Sequence, residues 1–189
     1  FERKNNRKKI LKINQIRDFD NFRNKYIPLS SDVYAKYENL MATPPEADAY
    51  IVGSDQVWNF SFADFTGVKN VVHAYMLDFG GGNVKRLSYA ASWGVSEISE
   101  DLRNEIIPLL KKFDYVSVRE QKGLDLCREC GLDNPEWVCD PTLLLEAELY
   151  RMLYKENEIN KPQGKYIFVY MLNNQYEFNL DFVYRFAKA

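Results

Sequence analysis

The chain has 189 residues, 46% of them hydrophobic and 15% aromatic, which is enough apolar material for a folded core and excludes a disordered chain. A formal net charge of −2 excludes the broadly basic surface of a nucleic-acid binder. No run approaches the roughly 18–20 consecutive apolar residues of a membrane-crossing helix, nothing at the start has the order of a signal peptide, and three cysteines in a chain of this size imply reduced thiols, so a cytoplasmic protein is expected.

The first residue is Phe1, and a helical pattern is still running at Ala189, so a fragment of a longer protein is expected. Arg3, Lys4, Arg7, Lys8, Lys9 and Lys12 form a basic cluster, read as a solvated helix face or frayed end, with an acidic membrane surface or a polyanionic glycan as the alternative contact. Thr43-Pro44-Pro45 makes a rigid turn ahead of a first strand at 49–53. Residues 61–83, which hold Gly67, Gly80, Gly81 and Gly82, read as a long irregular segment. A second strand is expected at 86–91. Ile98, Leu102, Ile106, Leu109 and Phe113 then recur at helical spacing, with Ser99 placed to cap, acidic residues in the first turn, and Pro108 predicting a kink or restart.

Strands at 115–119 and 136–139 follow, separated by a helix at 121–130 that ends at Gly131, and a further helix is expected at 146–154. Residues 155–165, with Asn157, Asn160, Pro162 and Gly164, read as a linker, which sets two domains at 1–160 and 161–189. Residues 166–172 are apolar on both faces, as in a central parallel strand, and a helix follows from Tyr176. Short β-rich runs alternating with helices make the fold class α/β, a Rossmann-like parallel sheet with flanking helices.

Open α/β sheets bind ligands beyond the C-terminal ends of their strands, so polar residues at those exits are the candidate site. After the first strand come Gly53, Ser54, Asp55, Gln56, Trp58 and Asn59. Asp55 suits a sugar hydroxyl contact or a base for an attacking hydroxyl, against a turn in which it bonds nearby amides. Ser54 and Gln56 can hydrogen-bond a polar ligand. Trp58 beside Asn59 suits a sugar ring, with core packing the alternative. Ser92 and Gly94, small residues beyond the second strand, permit close approach of a phosphate or sugar. Arg119 can grip an anion bidentately or pair internally with Glu120 or Asp114. Asp140, held extended by Pro141, either faces a ligand or ties the chain by hydrogen bonds.

Several tempting patterns are set aside. Cys127 and Cys130 have CxxC spacing but lie inside a helix, with only Cys139 and His73 left to complete a zinc set, so no metal is expected. His73 reads as packed rather than catalytic. Gly80-Gly81-Gly82 lacks the lysine and hydroxyl of a phosphate loop, and no nicotinamide or nucleotide cofactor is expected.

The strings Tyr50-Ile51-Val52-Gly53-Ser54-Asp55-Gln56-Val57-Trp58-Asn59, Tyr75-Met76-Leu77-Asp78-Phe79, Leu87-Ser88-Tyr89-Ala90-Ala91-Ser92-Trp93-Gly94, Tyr115-Val116-Ser117-Val118-Arg119-Glu120 and Asp140-Pro141-Thr142-Leu143-Leu144, in this order, resemble the polysaccharide pyruvyl transferase family from about residue 19 onward. The resemblance implies the N-terminal half of a GT-B-like two-domain enzyme with the start of the second half, the family's opening strand and glycine loop lying outside the chain. It implies transfer of pyruvate from phosphoenolpyruvate, as co-substrate, to a sugar or lipid-linked oligosaccharide acceptor as a ketal, with peripheral association with the membrane polysaccharide-assembly machinery at the inner face of the cell membrane. Under it Asp55 becomes the base and Arg119 the clamp for phosphoenolpyruvate, the acid falls in the remainder of the second domain, and the fragment alone is inactive. Two alternatives stay open: a GT-B nucleotide-sugar glycosyltransferase and a non-catalytic glycan-binding module.

Overall fold

The computed structural model describes residues 19–62, 70–153, 163–169 and 180–188. The chain divides into two compact units, Phe1–Leu144 and Leu145–Ala189. Residues 154–162, which hold most of the expected linker at 155–165, lie outside the described residues. The basic cluster at 3–12 lies outside the described residues.

The first unit holds a four-stranded parallel sheet of β1 (Ala49–Val52), β2 (Lys85–Ala91), β3 (Tyr115–Val118) and β4 (Glu136–Trp137), in the order β1-β2-β3-β4. Its helices are α1 (Phe19–Tyr26), α2 (Tyr37–Ala42), α3 (Val71–Tyr75), α4 (Glu100–Leu110) and α5 (Gln121–Glu129), with 3-10 turns at Phe60–Phe62 and Pro141–Leu143. The α/β class and the four expected strands are present. Strand alternation sets the core: Tyr50 and Val52 of β1 are buried while Ala49 and Ile51 are exposed. In β3 the run Val116, Ser117, Val118 is buried throughout, as a central parallel strand requires.

Helix α4 follows its sequence closely. Ser99 caps it by accepting the Leu102 amide at 3.2 Å, and Ile106, Leu109 and Leu110 face the core. The helix runs on from Pro108 to Leu110 without a restart, although proline has no amide to bond the Asn104 carbonyl one turn back. Helix α5 buries Leu124, Leu126 and Cys127. At the other end of β2, buried Arg86 donates to three carbonyls, from Nε to Leu77 at 2.8 Å, Nη1 to Val84 at 3.0 Å and Nη2 to Phe79 at 2.6 Å, which pins residues 77–84 to the sheet.

Two expectations need correction. The segment 61–83 is not wholly irregular, since its described part contains α3; residues 63–69 lie outside the described residues. Residues 166–169, expected to begin a central strand, form none, and Phe168 is 78% exposed. A run apolar on both faces suits a strand only between sheet neighbours, and among the described residues of the second unit there are only α6 (Ala147–Leu153) and α7 (Leu180–Lys188). Residues 170–179 lie outside the described residues. Among the described residues no helix is long and apolar enough to cross a membrane.

Candidate functional site

Parallel strands bring their C-terminal ends to one side, and two backbone irregularities shape what is placed there. Gly53 has φ +141°, and a Cβ at this position would sit 1.9 Å from the Tyr89 carbonyl oxygen, so only glycine lets the β1 exit pass against β2. Ala90, fully buried, has φ +51°, where the β2–β3 register shifts between Ser88 and Ala91. This bulge interrupts the ladder, and two buried serines compensate. The Ser88 hydroxyl donates to the Ser117 carbonyl at 3.0 Å, the Ser117 hydroxyl donates to the Ser88 carbonyl at 2.9 Å, and the Ala90 amide donates to Ser117 Oγ at 3.1 Å. Beyond the bulge the exits are laced together: the Ser92 amide donates to the Asp55 carbonyl and the Trp58 amide to the Ser92 carbonyl, each at 3.1 Å.

Onto this frame β3 delivers Arg119, whose own amide donates to Ala91 at 3.3 Å and whose carbonyl accepts from Trp137 Nε1 at 3.0 Å. The guanidinium has three carboxylates around it. Nη1 donates to Asp140 Oδ2 at 3.3 Å, while Asp55 Oδ1 stands 3.7 Å from Nη2 and Glu120 Oε2 stands 3.9 Å from Nε. One hydrogen bond and two looser ion pairs leave the fork with further donors. Asp140 is fixed most firmly: its Oδ1 accepts from the Thr142 amide at 3.0 Å and the Thr142 hydroxyl at 2.8 Å. Those bonds, the backbone one first, together with the Ser54 hydroxyl and Arg119, outweigh the opposing effect of desolvation and hold its pKa at about 2. Asp55 is the opposite case. Its side chain is 92% exposed, and its Oδ1 accepts the Gln56 amide at 2.8 Å, so one carboxylate oxygen faces outward at the strand end.

A sequence model of the family described as polysaccharide pyruvyl transferase matches residues 2–186. The chain belongs to the polysaccharide pyruvyl transferase family. No curated protein matches it, and no solved structure does. Within this family member, the strand ends gather Ser54, Asp55, Arg119 and Asp140 into one charged group. Gln56, Asn59 and Gly94 form a second group beside it: Asn59 Nδ2 donates to Gln56 Oε1 at 2.9 Å, and a Cβ on Gly94, whose φ is +61°, would lie 2.6 Å from that same oxygen.

Burial corrects two of the site expectations in this family member. Trp58 is fully buried, its ring centroid 5.2 Å from that of Trp93 and 5.9 Å from that of Phe113, so its faces are taken by the core and offer nothing to a sugar ring. Ser92 is 3% exposed and donates its hydroxyl to Glu120 at 2.9 Å, so it supports the loop from inside rather than meeting a phosphate. Glu120 and Thr142 were missed as site residues. Thr142 had a usable signal, since Asp-Pro-Thr is a sequence in which the aspartate accepts from the residue two positions on.

Cys127 and Cys130 are buried in and just beyond α5, and burial pushes the Cys127 thiol up to about 12. His73 Nδ1 lies 2.8 Å from Asp78 Oδ2, and its Nε2 lies 3.6 Å from Glu105 Oε1. Among the described residues no group of three or more His, Cys, Asp or Glu is placed to hold a metal ion.

Proposed function

We propose that this family member transfers the pyruvyl group of phosphoenolpyruvate to two hydroxyls of a sugar in a surface-polysaccharide precursor, within a GT-B-like two-domain enzyme acting at the inner face of the cell membrane. The observation that carries the reading is Arg119 presented at the end of β3 with donors to spare, beside the outward carboxylate of Asp55. One acceptor hydroxyl adds to C2 of the enol, and the methylene carbon gains a proton to become methyl. The second hydroxyl then displaces phosphate from C2, and its proton leaves with the phosphate, giving a cyclic ketal. Asp55 receives the proton of the attacking hydroxyl, and Arg119 binds the carboxylate or phosphate of phosphoenolpyruvate in its fork.

A second reading is favoured by the same cluster's charge. One guanidinium among three carboxylates gives a net negative group, which suits sugar hydroxyls better than a dianion. Under that reading Arg119 orients acceptor-binding carboxylates, in a pyruvyl transferase or a nucleotide-sugar glycosyltransferase. The test is phosphate release from phosphoenolpyruvate by the intact protein with a panel of lipid-linked and nucleotide-linked sugars. Acceptor-dependent release, with Arg119→Ala raising the KM for phosphoenolpyruvate, supports the anion clamp. Release in which Arg119→Ala raises only the acceptor KM supports the second reading, and turnover of a nucleotide-sugar without phosphate release refutes pyruvyl transfer.

A further inference from the structure

Glu120 connects the charged group to the loop beyond β2. A single carboxylate oxygen, Oε1, accepts from Ser92 Oγ at 2.9 Å, the Trp93 amide at 2.7 Å and the Gly94 amide at 3.3 Å. Its other oxygen is the one that stands 3.9 Å from Arg119 Nε. Glu120 occupies the N-cap position of α5 with extended backbone, φ −128° and ψ 147°, yet its side chain makes no cap bond to its own helix. It reaches instead to the neighbouring strand's exit. Gly123, in the first turn of α5, leaves the space that Trp93 fills, since a Cβ there would stand 2.8 Å from Trp93 Cδ1. Residues 92–94 are thus held from below by α5 and from the side by a carboxylate. They in turn carry the β1 exit through the paired Ser92 amide and carbonyl and through Gly94 packed against Gln56 and Asn59.

We propose that Glu120 is a positioning residue for the acceptor side of pyruvyl transfer: it fixes residues 92–94, and through them and the buried Asn59 sets the geometry of Asp55 and Gln56. The proposal rests on the transfer reading above. An ionised acceptor suits three converging donors because charge-assisted hydrogen bonds are roughly twice as strong as neutral ones. The same three donors would suit a phosphate oxygen, but Glu120 already fills them, and Ser92 and Trp93 are buried.

The test uses Glu120→Ala and Glu120→Gln in the intact protein, with both KM values, kcat, thermal midpoint and inorganic phosphate binding measured. Glu120→Ala is expected to raise the acceptor KM about tenfold and to lower kcat, with the phosphoenolpyruvate KM changed less than about threefold, because a loop displaced by up to about an ångström misplaces Asp55 together with the acceptor contacts it carries. Glu120→Gln, which keeps an acceptor oxygen within reach, should recover most of the loss. A lowered midpoint with both KM values unchanged would reduce Glu120 to a fold residue and overturn the proposal. Tighter inorganic phosphate binding by Glu120→Ala would also overturn it, by showing an anion site that Glu120 plugs. Absence of transfer in the unmodified protein removes the underlying reading, and this is seen before any variant is compared.

Discussion

Replacing Gly53 by alanine tests the crossing of the β1 exit over β2. Two costs combine. At φ +141° an L-residue sits in a region almost exclusive to glycine, which costs about 1–3 kcal/mol. In addition the new Cβ would lie 1.9 Å from the Tyr89 carbonyl oxygen. That oxygen belongs to the backbone of β2, so no rotamer relieves the clash; the strands must part by roughly 1.5 Å to reach an ordinary contact, an overpacking cost of about 1–3 kcal/mol. The total is roughly 2–6 kcal/mol, a loss in thermal midpoint on the order of 10 °C for a chain of this size. Gly81→Ala is the control, since a Cβ there meets nothing within 4 Å. Gly94→Ala should fall between them, at about 1–2 kcal/mol, because its φ of +61° is open to L-residues at a cost and its contacts are the ends of the Gln56 and Asn59 side chains. Equilibrium urea denaturation of the three variants orders them directly. If Gly53→Ala lay within about 0.5 kcal/mol of Gly81→Ala, the close approach at Tyr89 would be wrong, and with it the placement of Asp55.

Two further predictions concern titration and thiols. The pKa of Asp140 is about 2 in the folded chain against an ordinary 3.8, so the native state binds the proton less readily than the unfolded one. Its contribution to stability is therefore complete above about pH 4 and is lost as pH falls from there through 2; the stability gap between the unmodified protein and Asp140→Asn should shrink over that window, and a gap independent of pH would contradict the assignment. Cys139 is exposed while Cys127 and Cys130 are buried, so an aromatic disulfide reagent should label one thiol quickly in the native protein and the other two only after denaturant is added; rapid reaction of a second thiol would place the CxxC pair at the surface.

The strands were legible because each pairs a short apolar run with a break that needs no distant information, as at Gly53 after β1. Asp55, Arg119 and Asp140 were legible for the same reason: once a strand's end is known, the next polar residue lies where parallel sheets expose their chemistry. Helix α3 was not, since Val71 and Val72 favour strands and lack capping help; its N-cap, Asn70, makes no side-chain cap bond, and contact with the rest of the fold decides its form. Trp58 looked like a ligand platform because sequence places it beside Asn59, whereas its cover comes from Trp93 and Phe113, distant in the chain. Glu120 shows the same limit. Adjacency suggested an ion pair with Arg119, but the shorter contacts, 2.7 to 3.3 Å, go across the sheet to residues 92–94.

A doubly wound sheet opens its binding crevice where the strand order reverses. Among the described residues the strands run in the order β1-β2-β3-β4. Local backbone geometry shapes the polar concentration at their ends. Gly53 carries the β1 exit against β2, the bulge at Ala90 redirects β2 into residues 92–94, and Gly94 turns that loop beneath Gln56 and Asn59. Glu120 then fixes the loop, and Arg119 stands at the end of β3 among the carboxylates it gathers. If this account holds, Gly53→Ala, which moves Asp55 by more than an ångström, should cost about a hundredfold in turnover even at temperatures where the variant remains folded. Loss of stability with turnover retained would return the origin of the site to side chains alone.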